Sequence, residues 1–271
     1  MLADLTVGMI SATVEVDQPQ ADGKRIVGTG FLIDDPKPNG EPRTVLITAG
    51  HVLDNMPGQS ARIGYRFQGA DGAWRFSAQP LAIRDGAAQL WVKNPNQDIA
   101  AIAIKAPPEF AKAAIPISWL ADESSFGQAE VGPGDEMFVL GFPEGLAANT
   151  QGFPILRSGR VASYPLTPIR QFPSFLLDFR VFSGNSGGPV FVTAAMRRPG
   201  APEIKSPLVA GILTQQTEVG AERLELGIVV QAPYIRQTLQ LLDNPGAGLQ
   251  TAAAAASSAR PASAAAAGGA P

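Results

Sequence analysis

The sequence predicts an all-β chain made of two successive sets of short strands. Three observations carry this. Apolar runs are short and punctuated by turn residues. Glycine and proline are abundant, at 29 and 24 of 271 residues. The clearest helical spacing lies at 233–242, near the end of the structured part.

The first set reads as strands at 9–16, 25–33, 44–48, 61–67, 75–83 and 99–104. The turn-rich Asp34-Asp35-Pro36-Lys37-Pro38-Asn39-Gly40 joins the second to the third. Pro107-Pro108 breaks the pattern, and residues from there to 126 read as a connection. The second set reads as strands at 136–140, 155–164, 175–178, 189–193, 208–217 and 226–231. In the segment 233–242, Ile235, Leu239 and Leu242 share one face, with Pro233 at the start. These limits define domains at 1–120 and 121–244. Residues 245–271 are almost wholly Ala, Ser, Gly and Pro, with little large apolar surface to offset the cost of ordering, and read as a disordered tail.

Composition bounds the chemistry. Apolar residues make up 45% of the chain and charged residues 17%, enough for a sizeable core. A net charge of −3 without clustered Lys and Arg points away from nucleic-acid and anionic-membrane partners. There is no cysteine, so disulfides and Cys-ligated zinc are excluded, and a single histidine excludes a His-rich metal site. No cofactor or metal is expected. Residues 1–5 lack a basic segment followed by an apolar one, so the chain as it stands reads as cytoplasmic; a leader ahead of it would make it secreted or periplasmic.

The most informative stretch is Phe182-Ser183-Gly184-Asn185-Ser186-Gly187-Gly188-Pro189. Glycines around a serine permit a tight turn that exposes the hydroxyl and leaves backbone N–H groups free to meet a developing oxyanion. A serine hydroxyl needs an adjacent base to become a nucleophile. The one histidine, His51, ends the apolar run Val45-Leu46-Ile47-Thr48-Ala49-Gly50, where its side chain projects from a strand end. Imidazole changes charge near neutrality and suits proton transfer. Between the two, Asp98 stands directly before the apolar run Ile99-Ala100-Ala101-Ile102-Ala103-Ile104.

Taken together, Thr48-Ala49-Gly50-His51, Asp98-Ile99-Ala100 and Gly184-Asn185-Ser186-Gly187-Gly188-Pro189 resemble the trypsin-like (chymotrypsin-fold) serine peptidases. The resemblance is to the bacterial branch that includes the HtrA/Deg protease domain, and it runs from about residue 28 to 242. It implies two antiparallel six-stranded β-barrels with a C-terminal helix and a cleft between them. It further implies His51 as general base, Asp98 as its orienting group, Ser186 as nucleophile, and the N–H groups of Gly184 and Ser186 as oxyanion hole. The implied activity is that of a serine endopeptidase acting on protein or peptide substrates.

The resemblance places Thr214, Gln215 and Gln216 on the strand edge that pairs with substrate, and Arg180, Gln216 and Gly227 around the specificity pocket. Arg180 pointing inward would favour an acidic residue before the scissile bond; pointing outward, a small or apolar one. No Asp stands at the pocket base, which argues against cleavage after Lys or Arg. Asn185 replaces the Asp that pairs with a released N-terminus in animal trypsins. Arg25-Ile26-Val27-Gly28 looks like a maturation site, yet Gly28-Thr29-Gly30-Phe31-Leu32-Ile33 resembles the fixed strand before the histidine turn. Activity without proteolytic maturation is expected. The rival expectation is a silent or partner-gated binding module on the same fold; its regulatory protein would act from another chain, since no PDZ domain follows residue 242.

Overall fold

The computed structural model describes residues 5–193, 197–202, 204, 207–219 and 222–244, without the side chains of 216–219, 222 and 223. The tail at 245–271 lies outside the described residues.

The first half comprises α1 (Leu5–Ala12), β1 (Thr13–Pro19), β2 (Arg25–Asp34), β3 (Thr44–Thr48), α2 (Gly50–Asp54), β4 (Ser60–Gln68) and β5 (Trp74–Ala82). A small hairpin β6–β7 (Arg84–Asp85, Ala88–Gln89), β8 (Val92–Lys93) and β9 (Ala100–Ile104) complete it. The strands form one sheet in the order β5-β4-β1-β2-β3-β9-β8, joined by β10 (Ile115–Pro116), which pairs in parallel with β2. The second half comprises β11 (Glu136–Gly141), β12 (Ile155–Val161), β13 (Ser174–Asp178), β14 (Pro189–Val192), β15 (Leu208–Val219) and β16 (Glu222–Gln231). They close into a six-stranded barrel in the order β11-β12-β13-β16-β15-β14. The short helices α3 (Pro108–Ala111) and α4 (Ser125–Gln128) occupy the connection, and α5 (Ala232–Asp243) ends the described chain.

One closed barrel and a terminal helix match the expected architecture; the first sheet corrects it. Its end strands β5 and β8 do not pair with each other, so it is an open sheet rather than a closed six-stranded barrel. The physical reason is where β5 goes. It is mostly exposed on its own sheet, with Leu81 its one buried residue. Its tip crosses to the other half instead: Trp74 stacks edge-on against Phe153 at 5.0 Å, and Phe76 lies against Gly152. At the opposite end β8 has two residues, too few to reach back.

The second correction is at the N-terminus. Residues 9–12 were expected in a strand but belong to α1, where Met9 and Ala12, three apart, are buried. A short apolar run fits either period, and packing decides it. The end of α1 is held by the buried Arg66, whose Nη2 donates to the carbonyls of Ile10, Ser11 and Thr13, while its Nη1 donates to that of Gly152. Orphan carbonyls at a helix end need such donors. Burial pushes the Arg66 guanidinium down to about 10.

Strands β2, β3 and β9 are buried on both faces, which is why they read as near-continuous apolar runs. Leu32, Leu46 and Ile102 face a core with Val14, Val16, Ile63 and Tyr65. Phe31, Ile33, Val45, Ile47 and Ala101 face the other way and pack with Leu140, Val190, Phe191 and Leu213 of the barrel. The central strands of the first sheet are thereby set rigidly against the second half. A buried Arg43 reinforces this: it donates to Asp35 at 2.5 Å and to Asp243, at the end of α5, at 2.6 Å.

Candidate active site

His51 stands in the first turn of α2, directly after β3. Asp98 precedes β9, the neighbour of β3, so sheet pairing (Thr48↔Ala100) brings the two together. The Asp98 carboxylate receives two donors from one residue: the His51 N–H at Oδ1, 2.9 Å, and the His51 ring Nδ1 at Oδ2, 2.6 Å. An ionised carboxylate accepts only, so Nδ1 carries the proton and Nε2 is the free acceptor. Burial alone would raise the Asp98 carboxyl; the His51 hydrogen bonds and the nearby Lys93 charge outweigh it and hold it below its ordinary value. Gly50 leaves room for this pairing, since a Cβ there would stand 2.9 Å from Asp98 Oδ1 and 2.6 Å from Lys93 Cε.

Behind Asp98 lies a support that sequence reasoning missed. Asn94, 4% exposed, accepts the N–H groups of Asn96 and Gln97 at its Oδ1, fixing the turn that delivers Asp98. Its Nδ2 donates to the buried Thr238 hydroxyl of α5 at 3.1 Å. Nothing in the spacing around Asn94 announces a partner that far along the chain.

Ser186 lies in the loop between β13 and β14. Two glycines bend it: Gly184 at φ +88° and Gly187 at φ +92°. A Cβ at Gly184 would stand 2.3 Å from the Phe142 carbonyl, and one at Gly187 1.9 Å from the Thr29 carbonyl. Thr29 of β2 pins the loop, its N–H donating to the Ser186 carbonyl at 2.9 Å and its hydroxyl to that of Gly184 at 2.7 Å. The N–H groups of Asn185, Gly187 and Gly188 are spent on Phe182, Leu213 and Asn185 carbonyls. Those of Gly184 and Ser186 find no acceptor among the described residues. The Ser183 carbonyl accepts the Glu144 N–H at 2.6 Å. In a trans peptide the next N–H points the opposite way, so this bond directs the Gly184 N–H outward.

The Ser186 hydroxyl donates to the Thr214 carbonyl at 3.0 Å, and no described hydrogen bond joins it to His51. Gly187 nevertheless abuts Ala49, whose N would stand 3.0 Å from a Cβ at 187. The serine loop and the root of the histidine helix are thus in contact. Catalytic hydrogen bonds are often absent or long without substrate and tighten only in the complex.

The remaining expected residues separate into two groups. Thr214 is buried next to Ser186, and Gln215 is exposed on the same strand. Gln216 pairs with Gly227 in the sheet, but its side chain lies outside the described part. Gly227 is enclosed by apolar side chains: a Cβ there would stand 2.9 Å from Leu213 and 3.2 Å from Val181. Val181 was not foreseen. Arg180 points to solvent, 61% exposed, ion-paired with Glu225 at 3.3 Å and stacked over Phe182. Among the described residues no cluster of three or more His, Cys, Asp or Glu could hold a metal.

An open sheet and a closed barrel, with a histidine–carboxylate pair on one and a glycine-bent serine loop on the other, define a trypsin-like peptidase fold. The model of the trypsin-like peptidase domain family matches residues 28–195. The chain belongs to that family. Two structures of the HtrA-type protease AlgW with tripeptide are similar at TM-scores of 0.54 and 0.55, with 13% and 14% identity over 89% and 90% of this chain. This chain covers 63% and 64% of theirs, a little under two thirds. The active form of Rv3671c protease from M. tuberculosis aligns at a TM-score of 0.48 and 17% identity, over 88% of this chain and 83% of that one. No curated protein matches the chain.

Proposed function

We propose that this chain is a serine endopeptidase working through an acyl-enzyme. Ser186 attacks the scissile carbonyl, His51 Nε2 takes the hydroxyl proton and returns it to the leaving amine, and water then releases the acyl group from the serine. Asp98 holds the imidazole in the required tautomer and stabilises the imidazolium. The observation that carries the reading is the pair of unspent N–H groups on Gly184 and Ser186, flanking Asn185, whose own N–H is spent on the Phe182 carbonyl, as those of Gly187 and Gly188 are spent on Leu213 and Asn185. Two such donors are what a tetrahedral oxyanion requires.

Activity without maturation is part of the proposal. The buried Asn185 side chain accepts the Phe182 N–H at 3.0 Å, a local partner that replaces an ion pair with a new N-terminus. Arg25 to Gly28 sit within β2, paired with β1. For the residue before the scissile bond, the apolar surround of Gly227 and the outward Arg180 favour a small aliphatic side chain.

The bond from Ser186 to Thr214 favours one second reading, a resting serine that turns to His51 only when a ligand or partner engages the cleft. Intact-mass labelling with a fluorophosphonate separates the two. One adduct on the wild type, and none on Ser186→Ala or His51→Ala, supports the constitutive peptidase. No adduct on folded wild type supports the gated one.

A further inference from the structure

A cavity of about 220 Å³ lies where the first sheet meets the loop after β11, lined by Glu15, Asp17, Arg25, Arg62, Phe76 and Asn149 among others. Its polar floor is an interlocked set. Arg25 donates to Glu15 at 2.7 Å and to Asp17 at 3.0 Å, and Arg62 donates twice to Asp17 at 2.9 and 2.5 Å. The carboxylates are the buried members, with side chains 12% and 6% exposed, against 40% and 42% for the side chains of Arg25 and Arg62. Both Asp17 oxygens are engaged, whereas Arg25 Nε and Nη2 and Arg62 Nη1 have no acceptor among the described residues. Burial also raises the Glu15 carboxyl, against the lowering effect of Arg25. A ligand entering therefore meets guanidinium donors first.

The position of the cavity gives it meaning. β2 runs from Thr29, which touches the Ser186 loop, to Arg25, which lines the cavity. The four-residue separation is about 13 Å of strand. Over 25–29, β2 pairs with β1 on one side alone, because β3 ends at Thr48, opposite Gly30. The Thr29 N–H reaches Ser186 from the unpaired edge, and strand alternation turns the N–H and C=O of Val27 and Arg25 to that same edge. An extended peptide added there leads from Ser186 to the cavity.

We infer that this cavity is a substrate subsite, in which Arg25, with Arg62 beside it, receives an acidic side chain three or four residues after the scissile bond. The inference rests on the peptidase reading for its direction along the chain. A carboxylate there makes charge-assisted bonds to partly exposed guanidiniums, a preference of about fivefold over a neutral isostere.

The test uses peptides blocked at both ends, identical through the scissile bond, with Asp, Asn or Lys at the third or fourth downstream residue. The wild type is expected to show a kcat/KM about fivefold higher for Asp than for Asn, lowest for Lys, with the Asp/Asn ratio shrinking as salt rises. In Arg25→Gln the ratio falls to within about twofold of unity. The ratio is internal to each protein, so a change in overall rate does not enter, and the salt series on wild type needs no variant to fold. An equal rate for Asp and Asn, or a preference that survives in Arg25→Gln, overturns the subsite. Fluorophosphonate labelling, which occupies no downstream position, reads the peptidase assignment separately. If labelling fails, anisotropy of the same fluorescent peptides on Ser186→Ala decides: Asp preferred over Asn upholds the subsite without the peptidase, and equal binding sinks both.

Discussion

Asp98 has two jobs in one carboxylate, orienting the His51 ring and capping its N–H. Asp98→Asn keeps an acceptor oxygen but presents an amide to the ring, which favours the wrong tautomer; kcat is expected to fall about 10⁴-fold with KM little changed. The same substitution has a stability signature. The folded carboxyl is held below its ordinary value of about 3.9, so its contribution is present above that pH and lost as pH falls through the lower folded value. Read by denaturant melts, the stability gap between wild type and Asp98→Asn should therefore hold near neutral pH and narrow as pH falls from about 5 through the lower folded value. At Gly184 the proposed functional group is the backbone itself. Gly184→Val sets a side chain on the Phe142 carbonyl in a positive-φ position, and should cost at least the 10²–10³ in kcat typical of one lost oxyanion donor, with His51–Asp98 unaltered by NMR of the imidazole protons. Residues of this kind were legible from sequence because each motif is contiguous and its demand is local: glycines where φ is positive, a small residue before His51, an acid at the mouth of a strand. Thr29, Asn94, Glu144 and Val181 were not, because each acts through a contact made only after folding.

At the level of elements, strand positions were readable wherever alternation or a two-faced apolar run left one reading. The first helix was not, since Leu5–Ala12 fits either period and is decided by Arg66, 50-odd residues later in sequence. The open edge of the first sheet was equally hidden: Phe76 reads as an ordinary strand residue, and Trp74 as lying just before the strand, until their partners in the other half are known. α5 is the element whose role most exceeds its appearance. It looks like a terminal cover, yet through Thr238 and Asn94 it supports the turn bearing Asp98. Asn94→Ala should lower kcat by about 10- to 100-fold with KM within a factor of about two, the mark of misplacement rather than lost binding. Asn94→Asp keeps the acceptor for the two loop N–H groups and should recover part of that loss.

Across the whole molecule, the two halves are held by a shared apolar face and by buried polar ties, among them the ion pairs of Arg43. Removing it leaves Asp35 and Asp243 facing each other without a cation. Arg43→Met is expected to cost about 1–3 kcal/mol, less than a fully buried pair because Asp243 keeps partial access to water. That corresponds to a fall of several degrees in Tm for a chain of this size, measurable by calorimetry, with little change in labelling at Ser186 at low temperature.

The tie between Asn94 and Thr238 spans 144 positions of chain. On a ribosome, the turn bearing Asp98 emerges long before the helix that steadies it has been translated. His51, Asp98 and even Ser186 are all outside the tunnel while their arrangement still lacks its last support. On the proposed peptidase reading, the order of synthesis leaves the hydrolytic site without that support until the closing helix docks.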